Sequence, residues 1–183
     1  MSNILLALLL FALRLTGLDA AAATPVTDLP APAVPFVQHV QTGAVLTLGM
    51  AQEAAEAVTG DSTEPYRFGK NSFVYDGVIL GFRDGLLVYI LIDYDNPCWL
   101  ANGILTTGTP TEQALQALDI PFEGTSASYD VFYYPDGTSH AFYVGNVPPD
   151  HRRDYLWVLS FFVNRETVGK VQMGDMQYLS KAQ

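Results

Sequence analysis

Apolar residues gather along this chain in runs of strand length, and in two of the runs both alternate sets are apolar. In "LLVYILI", Leu86, Val88, Ile90 and Ile92 oppose Leu87, Tyr89 and Leu91, and in "LWVLSFFV", Trp157, Leu159, Phe161 and Val163 oppose Leu156, Val158 and Phe162. Neither run offers the polar face of a sheet that meets water on one side. Further strand-like runs are "NSFVYDGVILGF", joined by Asp84-Gly85 to "LLVYILID", and "YDVFYYP", joined by Asp136-Gly137 to "HAFYV". An Asp-Gly pair between β-rich runs predicts a hairpin in which both turn positions take positive φ. "DYLWVLSFFVN" and a weaker "ETVGKVQM" follow, with Asn164 to Glu166 as a turn. Helical character is confined to two short stretches. Ala51 to Thr59 is rich in helix formers and stops at Gly60, and a second start has Thr109 as a cap and Pro110 in the first turn.

Both helix starts belong to one repeated phrase. "VLTLGMAQEAAEAV", Val45 to Val58, returns 59 residues later as "ILTTGTPTEQALQA", Ile104 to Ala117, with Leu46/Leu105, Thr47/Thr106, Gly49/Gly108, Glu53/Glu112 and Ala55/Ala114 identical. Self-similarity at a fixed offset is an architectural signal. Each copy reads as a turn and short helix leading into its own antiparallel strands. The pattern predicts an α+β fold of two related units, each a short helix or helix pair followed by an antiparallel β-sheet, over residues 43–98 and 99–183. Gly49 and Gly108 are expected in the turns before the helices, where glycine accepts positive φ. The second copy is short of a second helix, because "DIPFEGTSAS" reads as a loop.

The glycine-entered turn on Leu46, Thr47, Leu48, Gly49 and Met50, with Thr106 and Gly108 in the second copy, followed by helix, strand, Asp-Gly hairpin and strand, resembles the β-lactamase inhibitor protein-like fold. Related single units occur in the small lipoprotein of the outer-membrane β-barrel assembly machine. The resemblance covers Thr42 to about Met173. It implies extracytoplasmic tandem units that present a curved sheet face to a protein partner. The chain departs from both relatives: a single cysteine cannot reproduce the inhibitor's disulfides, and no acylated cysteine is present. No binding residue of the family aligns with this chain, so none is carried over.

Outside the two units, residues 1–23 read as a signal peptide. "ILLALLLFAL" is an apolar run of the right length, too short to span a bilayer, and Ala20 to Ala23 can satisfy a small-residue cleavage site. The absence of Lys or Arg in "MSN" and the interruption at Arg14 leave a retained amphipathic anchor as the alternative. Residues 24–42, with Pro25, Pro30, Pro32 and Pro35, read as a linker of polyproline character. Export places the chain in the periplasm or outside the cell, with no stable membrane span once the signal is removed. Cys98, the only cysteine and flanked by Pro97 and Trp99, reads as buried rather than reactive.

Charge changes the picture of what the chain meets. Nine Lys+Arg against nineteen Asp+Glu give a net charge of -10, which repels nucleic-acid phosphates and anionic lipid while suiting a basic protein partner. Two-sided apolar strands with only short helices to cover them leave aromatic surface, either as a partner site or for burial within the molecule. The candidate partner-binding residues are Tyr89, Tyr133, Tyr143 and Trp157, with Asp84 and Asp136 on hairpin tips at the rim. The expected function is an exported, non-enzymatic protein-binding module of inhibitor or immunity type. The alternatives are a cell-envelope scaffold or assembly factor, and a cryptic hydrolase.

Catalytic and metal readings are weak, and no catalytic, cofactor or metal residue is assigned. His39, His140 and His151 lack metal-site spacing, and Ser139 and His140, adjacent on one strand, point to opposite faces. "DYDN", Asp93 to Asn96, opens like a calcium loop, but Pro97 takes the next ligand position and no distal Glu follows. Glu53 and Glu56 lie one turn apart on a wet helix face.

Overall fold

Short turns, most of them built on glycine, set the course of the chain. The computed structural model describes residues 34–67, 69, 71–92, 98–120, 126–145, 147–148, 154–164 and 166–175. Among them lie eleven strands and two helices. In chain order these are β1 (Phe36–His39), β2 (Val45–Thr47), α1 (Gln52–Thr59), β3 (Glu64–Pro65), β4 (Ser72–Tyr75), β5 (Val78–Arg83), β6 (Leu86–Ile92) and β7 (Trp99–Ala101). Then come α2 (Thr111–Ala117), β8 (Ser128–Tyr133), β9 (Ser139–Tyr143), β10 (Trp157–Asn164) and β11 (Thr167–Gly174). A three-stranded sheet has the order β2-β1-β7, and an eight-stranded sheet the order β3-β4-β5-β6-β11-β10-β8-β9. The segment expected as a leader and most of the proline-rich linker lie outside the described residues. The end of that linker is the strand β1, which pairs Val37 with Leu46 on one side and Ala101 on the other.

The α+β fold of two related units is not what the chain adopts. The described chain is mostly β, its helices are 8 and 7 residues long, and β6 pairs with β11 from Ile92↔Val171 to Tyr89↔Gly174, so strands from both halves form one sheet. The apolar runs themselves supply the reason. A strand apolar on both faces needs neighbours on both edges, and β6 and β10 obtain them, β5 and β11 for the one and β11 and β8 for the other, only inside a wide sheet. The repeated phrases also differ at their start: Val45–Thr47 is a strand, whereas Leu105 makes an isolated bridge to Ala101.

What does recur is a smaller device that ties each helix start to a hairpin. The Gly49 N–H donates to the Leu87 carbonyl (2.7 Å), the Leu87 N–H to Met50 (2.8 Å), and the Gln52 N–H to Gly85 (2.8 Å). In the second half the Gly108 N–H donates to Val168 (2.7 Å), the Val168 N–H to Thr109 (2.8 Å), and the Thr111 N–H to Glu166 (2.8 Å). Neither helix has a side-chain cap, so a carbonyl of the hairpin turn takes the first helical N–H instead. Thr109, expected as a cap, accepts from the Thr106 N–H (3.2 Å). The Asp84-Gly85 pair thus corresponds in place to the turn ending at Glu166, and not to Asp136-Gly137.

The hairpins follow local chemistry. Asp84 and Gly85 have φ of 53° and 74°, as a two-residue turn requires. Asp136-Gly137 instead belongs to a longer turn, in which only Gly137 has positive φ and Asp136 Oδ1 accepts the Thr138 N–H (2.9 Å) and hydroxyl (2.7 Å). A third such pair, Asp76-Gly77, cuts "NSFVYDGVILGF" into β4 and β5.

One face of the large sheet, the inner face, carries the core. Leu80, Leu87, Ile90, Leu159, Phe161 and Val171 pack there with Ala55 of α1, Ala114 and Leu115 of α2, and Val37, Leu46, Trp99 and Ala101 of the small sheet and its neighbours. Each such aliphatic or aromatic side chain contributes about 1.5–3 kcal/mol on full burial. Strict alternation fails along β6. The pairing with β5 shifts between Gly81 and Phe82, so Leu87 and Ile90 share the inner face while Val88, Tyr89 and Leu91 share the outer one. Side-chain contacts add to the hairpin bonds between the layers: Trp99 Nε1 donates to the Asp76 carbonyl (3.0 Å), Asn102 Nδ2 to the Tyr133 hydroxyl (2.6 Å), and the Tyr75 hydroxyl to Glu56 Oε1 of α1 (3.2 Å).

Candidate functional site

The outer face of β8, β9 and β10 brings together aromatic and carboxylate groups that the inner core does not use. Even-numbered positions of β8 point outward, and the register aligns two transverse rows. One runs Gln172, Ser160, Asp130, Phe142, and the next Gly174, Val158, Phe132, His140. Phe132 is buried, while Phe142, Tyr134 and Tyr155 pack around it half-exposed. The Phe132 ring meets Tyr155 edge-on with centroids 4.7 Å apart, and Phe142 at 6.2 Å; Tyr134 meets His140 at 5.6 Å. Lys170 sits over the ring of Phe162 at 5.6 Å, one row further along the same face.

Among the described residues, Asp130 is the carboxylate set beside these rings. Burial pushes its carboxyl above the usual range, and a hydrogen bond with Ser160 acts in the opposite direction. Burial, then the charges of Asp130 and Tyr134, push the Tyr155 phenol up to about 12. A carboxyl whose folded pKa is raised binds its proton more tightly folded than unfolded, so stability is greatest below the ordinary carboxylate range and falls as pH rises through the raised value. Asp130→Asn is therefore expected to melt above the parent at neutral pH, with the gap closing as pH falls toward about 4. Thermal melts of both proteins across that range check this; a variant melting lower at every pH would show the charge to be stabilising.

The six residues expected to form one binding surface are divided between faces and tips. Tyr89 lies on the outer face, 6% exposed, with its hydroxyl donating to Gln172 Oε1 (3.4 Å). Tyr133 lies on the inner face, 1% exposed, and burial pushes its phenol up to about 12 against the bond from Asn102. Tyr143 and Trp157 are half-buried and pack against the inner core. Asp84 and Asp136 are exposed at hairpin tips, and the Thr138 hydrogen bonds hold the Asp136 carboxyl below its usual range. Asp130 stands outside that set of six. Its signal is a lone acid inside the apolar run "SYDVFY".

Other chemistry is placed as follows. His39 meets Trp99 edge-on at 4.9 Å, and its Nδ1 accepts the Gln41 and Thr42 N–H groups (3.3 Å each), so it holds the turn after β1. His151 and the Asp93–Asn96 motif lie outside the described residues. Cys98 is half-buried against the inner core. Among the described residues no three His, Cys, Asp or Glu side chains gather at metal-binding range, and no helix is long and apolar enough to cross a membrane. Compared with protein-family models, curated proteins and solved structures, the chain matches none.

Proposed function

We propose that the chain is an exported, non-enzymatic protein-binding module that acts on another, basic protein as an inhibitor or immunity-type factor. The observation that carries this reading is the half-exposed aromatic group on the outer face with Asp130 set within it. Phe142, Tyr134 and Tyr155 offer rigid contact area, and aromatic side chains of this kind supply most of the energy of protein interfaces. Asp130 offers a desolvated acceptor for a lysine or arginine, while the net charge of -10 steers such a partner in. A carboxylate kept in a place that disfavours its charge is a mark of a functional position. The Tyr89, Tyr133, Tyr143 and Trp157 surface is set aside in favour of this one.

The test is capture by the mature chain from its own envelope fraction and culture medium, followed by affinity measurement on the purified partner. Phe142→Ala is expected to cost about 2 kcal/mol of binding, roughly thirtyfold in Kd. Asp130→Asn is expected to weaken binding while raising the melting temperature, and added salt to weaken the parent complex. A captured protein whose Kd moves with neither substitution would sink the assignment of this surface.

A further inference from the structure

The two edges of the eight-stranded sheet are built differently. At one edge β3 has 2 residues, Glu64 and Pro65. The Thr63 N–H donates to the Val74 carbonyl (2.8 Å) and the Tyr66 N–H to Ser72 (2.7 Å), so Pro65 falls between ladder bonds, where a residue's N–H would face outward. A very short strand bearing a charge and a proline resists addition of another strand. At the other edge β9 has 5 residues, "SHAFY", with no proline and no Lys, Arg, Asp or Glu.

The direction of the main-chain groups of β9 follows from its ends. The Val144 N–H donates to Ser128 (3.1 Å) and the Tyr134 N–H to Thr138 (3.0 Å), and the register between them is unbroken. Bonded and non-bonded pairs alternate in an antiparallel ladder. His140 and Phe142 therefore bond to β8, while the N–H and C=O groups of Ser139, Ala141 and Tyr143 point away from the sheet. Among the described residues no hydrogen bond reaches those outward groups.

We propose that β9 pairs with β9 of a second copy of this chain, antiparallel about a two-fold axis at Ala141, and joins two sheets into one. The strand is complementary to itself in that register. Ala141 faces Ala141 of the other copy, with the smallest side chain of the strand on the axis; Ser139 faces Tyr143, and His140 faces Phe142, an aromatic pair made twice. A chain of net charge -10 meets itself along the edge of the large sheet whose strand carries no Lys, Arg, Asp or Glu, which lowers the like-charge cost of association. The contact is limited to one short strand and its flanks, below the usual size of a stable interface, so a Kd of about 10–100 µM is expected.

The inference stands on the edge alone and does not rest on the outer-face reading. The two separate by salt: self-pairing of an acidic chain strengthens as salt screens repulsion, whereas capture of a basic partner weakens. Sedimentation equilibrium of the full chain from about 5 to 500 µM is expected to show dimers that increase with concentration and with salt. In the same range the amides of Ser139, Ala141 and Tyr143 gain protection from hydrogen exchange, while those of His140 and Phe142 are protected throughout. Ala141→Pro removes only an outward N–H, so the hairpin should fold and the dimer Kd rise by about tenfold or more. If that variant fails to fold, Ser139→Pro makes the same comparison at the start of the strand. A chain that stays monomeric over the whole range, or a dimer that survives the proline unchanged, overturns the proposal.

Discussion

Asn102→Ala is expected to destabilise the protein by about 3 kcal/mol, more than removal of the tyrosine hydroxyl it serves. Asn102 Oδ1 accepts the Phe36 N–H (3.2 Å), Nδ2 donates to the Tyr133 hydroxyl (2.6 Å), and its own N–H donates to the Phe36 carbonyl (2.8 Å). One side chain thus ties the small sheet to β8 of the large one. Alanine would leave the buried Tyr133 hydroxyl without that partner, at about 1–3 kcal/mol, and would also hold a φ of 50°, which asparagine tolerates better than alanine. Tyr133→Phe removes the hydroxyl and its need together, so a loss of only about 1 kcal/mol is expected. Chemical denaturation of the parent and both variants measures the difference. Equal losses in the two, or a change under about 0.5 kcal/mol for Asn102→Ala, would show that the contact does not join the layers.

Valine at Gly49 or at Gly108 is expected to cost about 1–3 kcal/mol at either site, through backbone strain rather than collision. Their φ values are 87° and 84°, and a Cβ built at either position meets nothing within 4 Å. A β-branched residue resists that conformation strongly. Relaxing it would pull the Gly49 N–H from Leu87, or the Gly108 N–H from Val168, and with it the link from hairpin to helix start. Similar losses at the two sites are therefore predicted, with asparagine recovering part of each because it tolerates positive φ. Melts of the four variants test this. Valine variants as stable as the parent would mean that the turns re-form without glycine.

Local features were legible in the sequence where a few neighbouring residues decide them. The helix stop at Gly60, the start near Pro110 and the Asp84-Gly85 turn are of this kind, and each is set by backbone freedom within one turn of chain. Asp76-Gly77 carried the same signal as Asp84-Gly85, yet the apolar run around it hides two strands as one. Face assignment depends on more than alternation, which tells which side chains share a face but not which face is covered, so Tyr133, Tyr143 and Trp157 lie toward the inner core although the ladder of β8 with β9 and β10 is unbroken. On β6 the shift opposite Gly81 and Phe82 also sets Val88 beside Tyr89 on the outer face, which a count by twos does not foresee.

By itself the sequence determined that the chain would build antiparallel hairpins from strands apolar on both sides, with two short helices entered through Gly49 and Gly108. It determined as well that its surface would be acidic. Only the tertiary structure decided that β6 and β11 meet, making one eight-stranded sheet where two units were expected, that Tyr133 lies in the core beside Asn102, and that Asp130 stands among Phe142, Tyr134 and Tyr155. Turns and caps depend on dihedral preferences of adjacent residues. Strand order and the environment of a side chain depend on pairings between residues far apart in the chain, which local propensity does not encode.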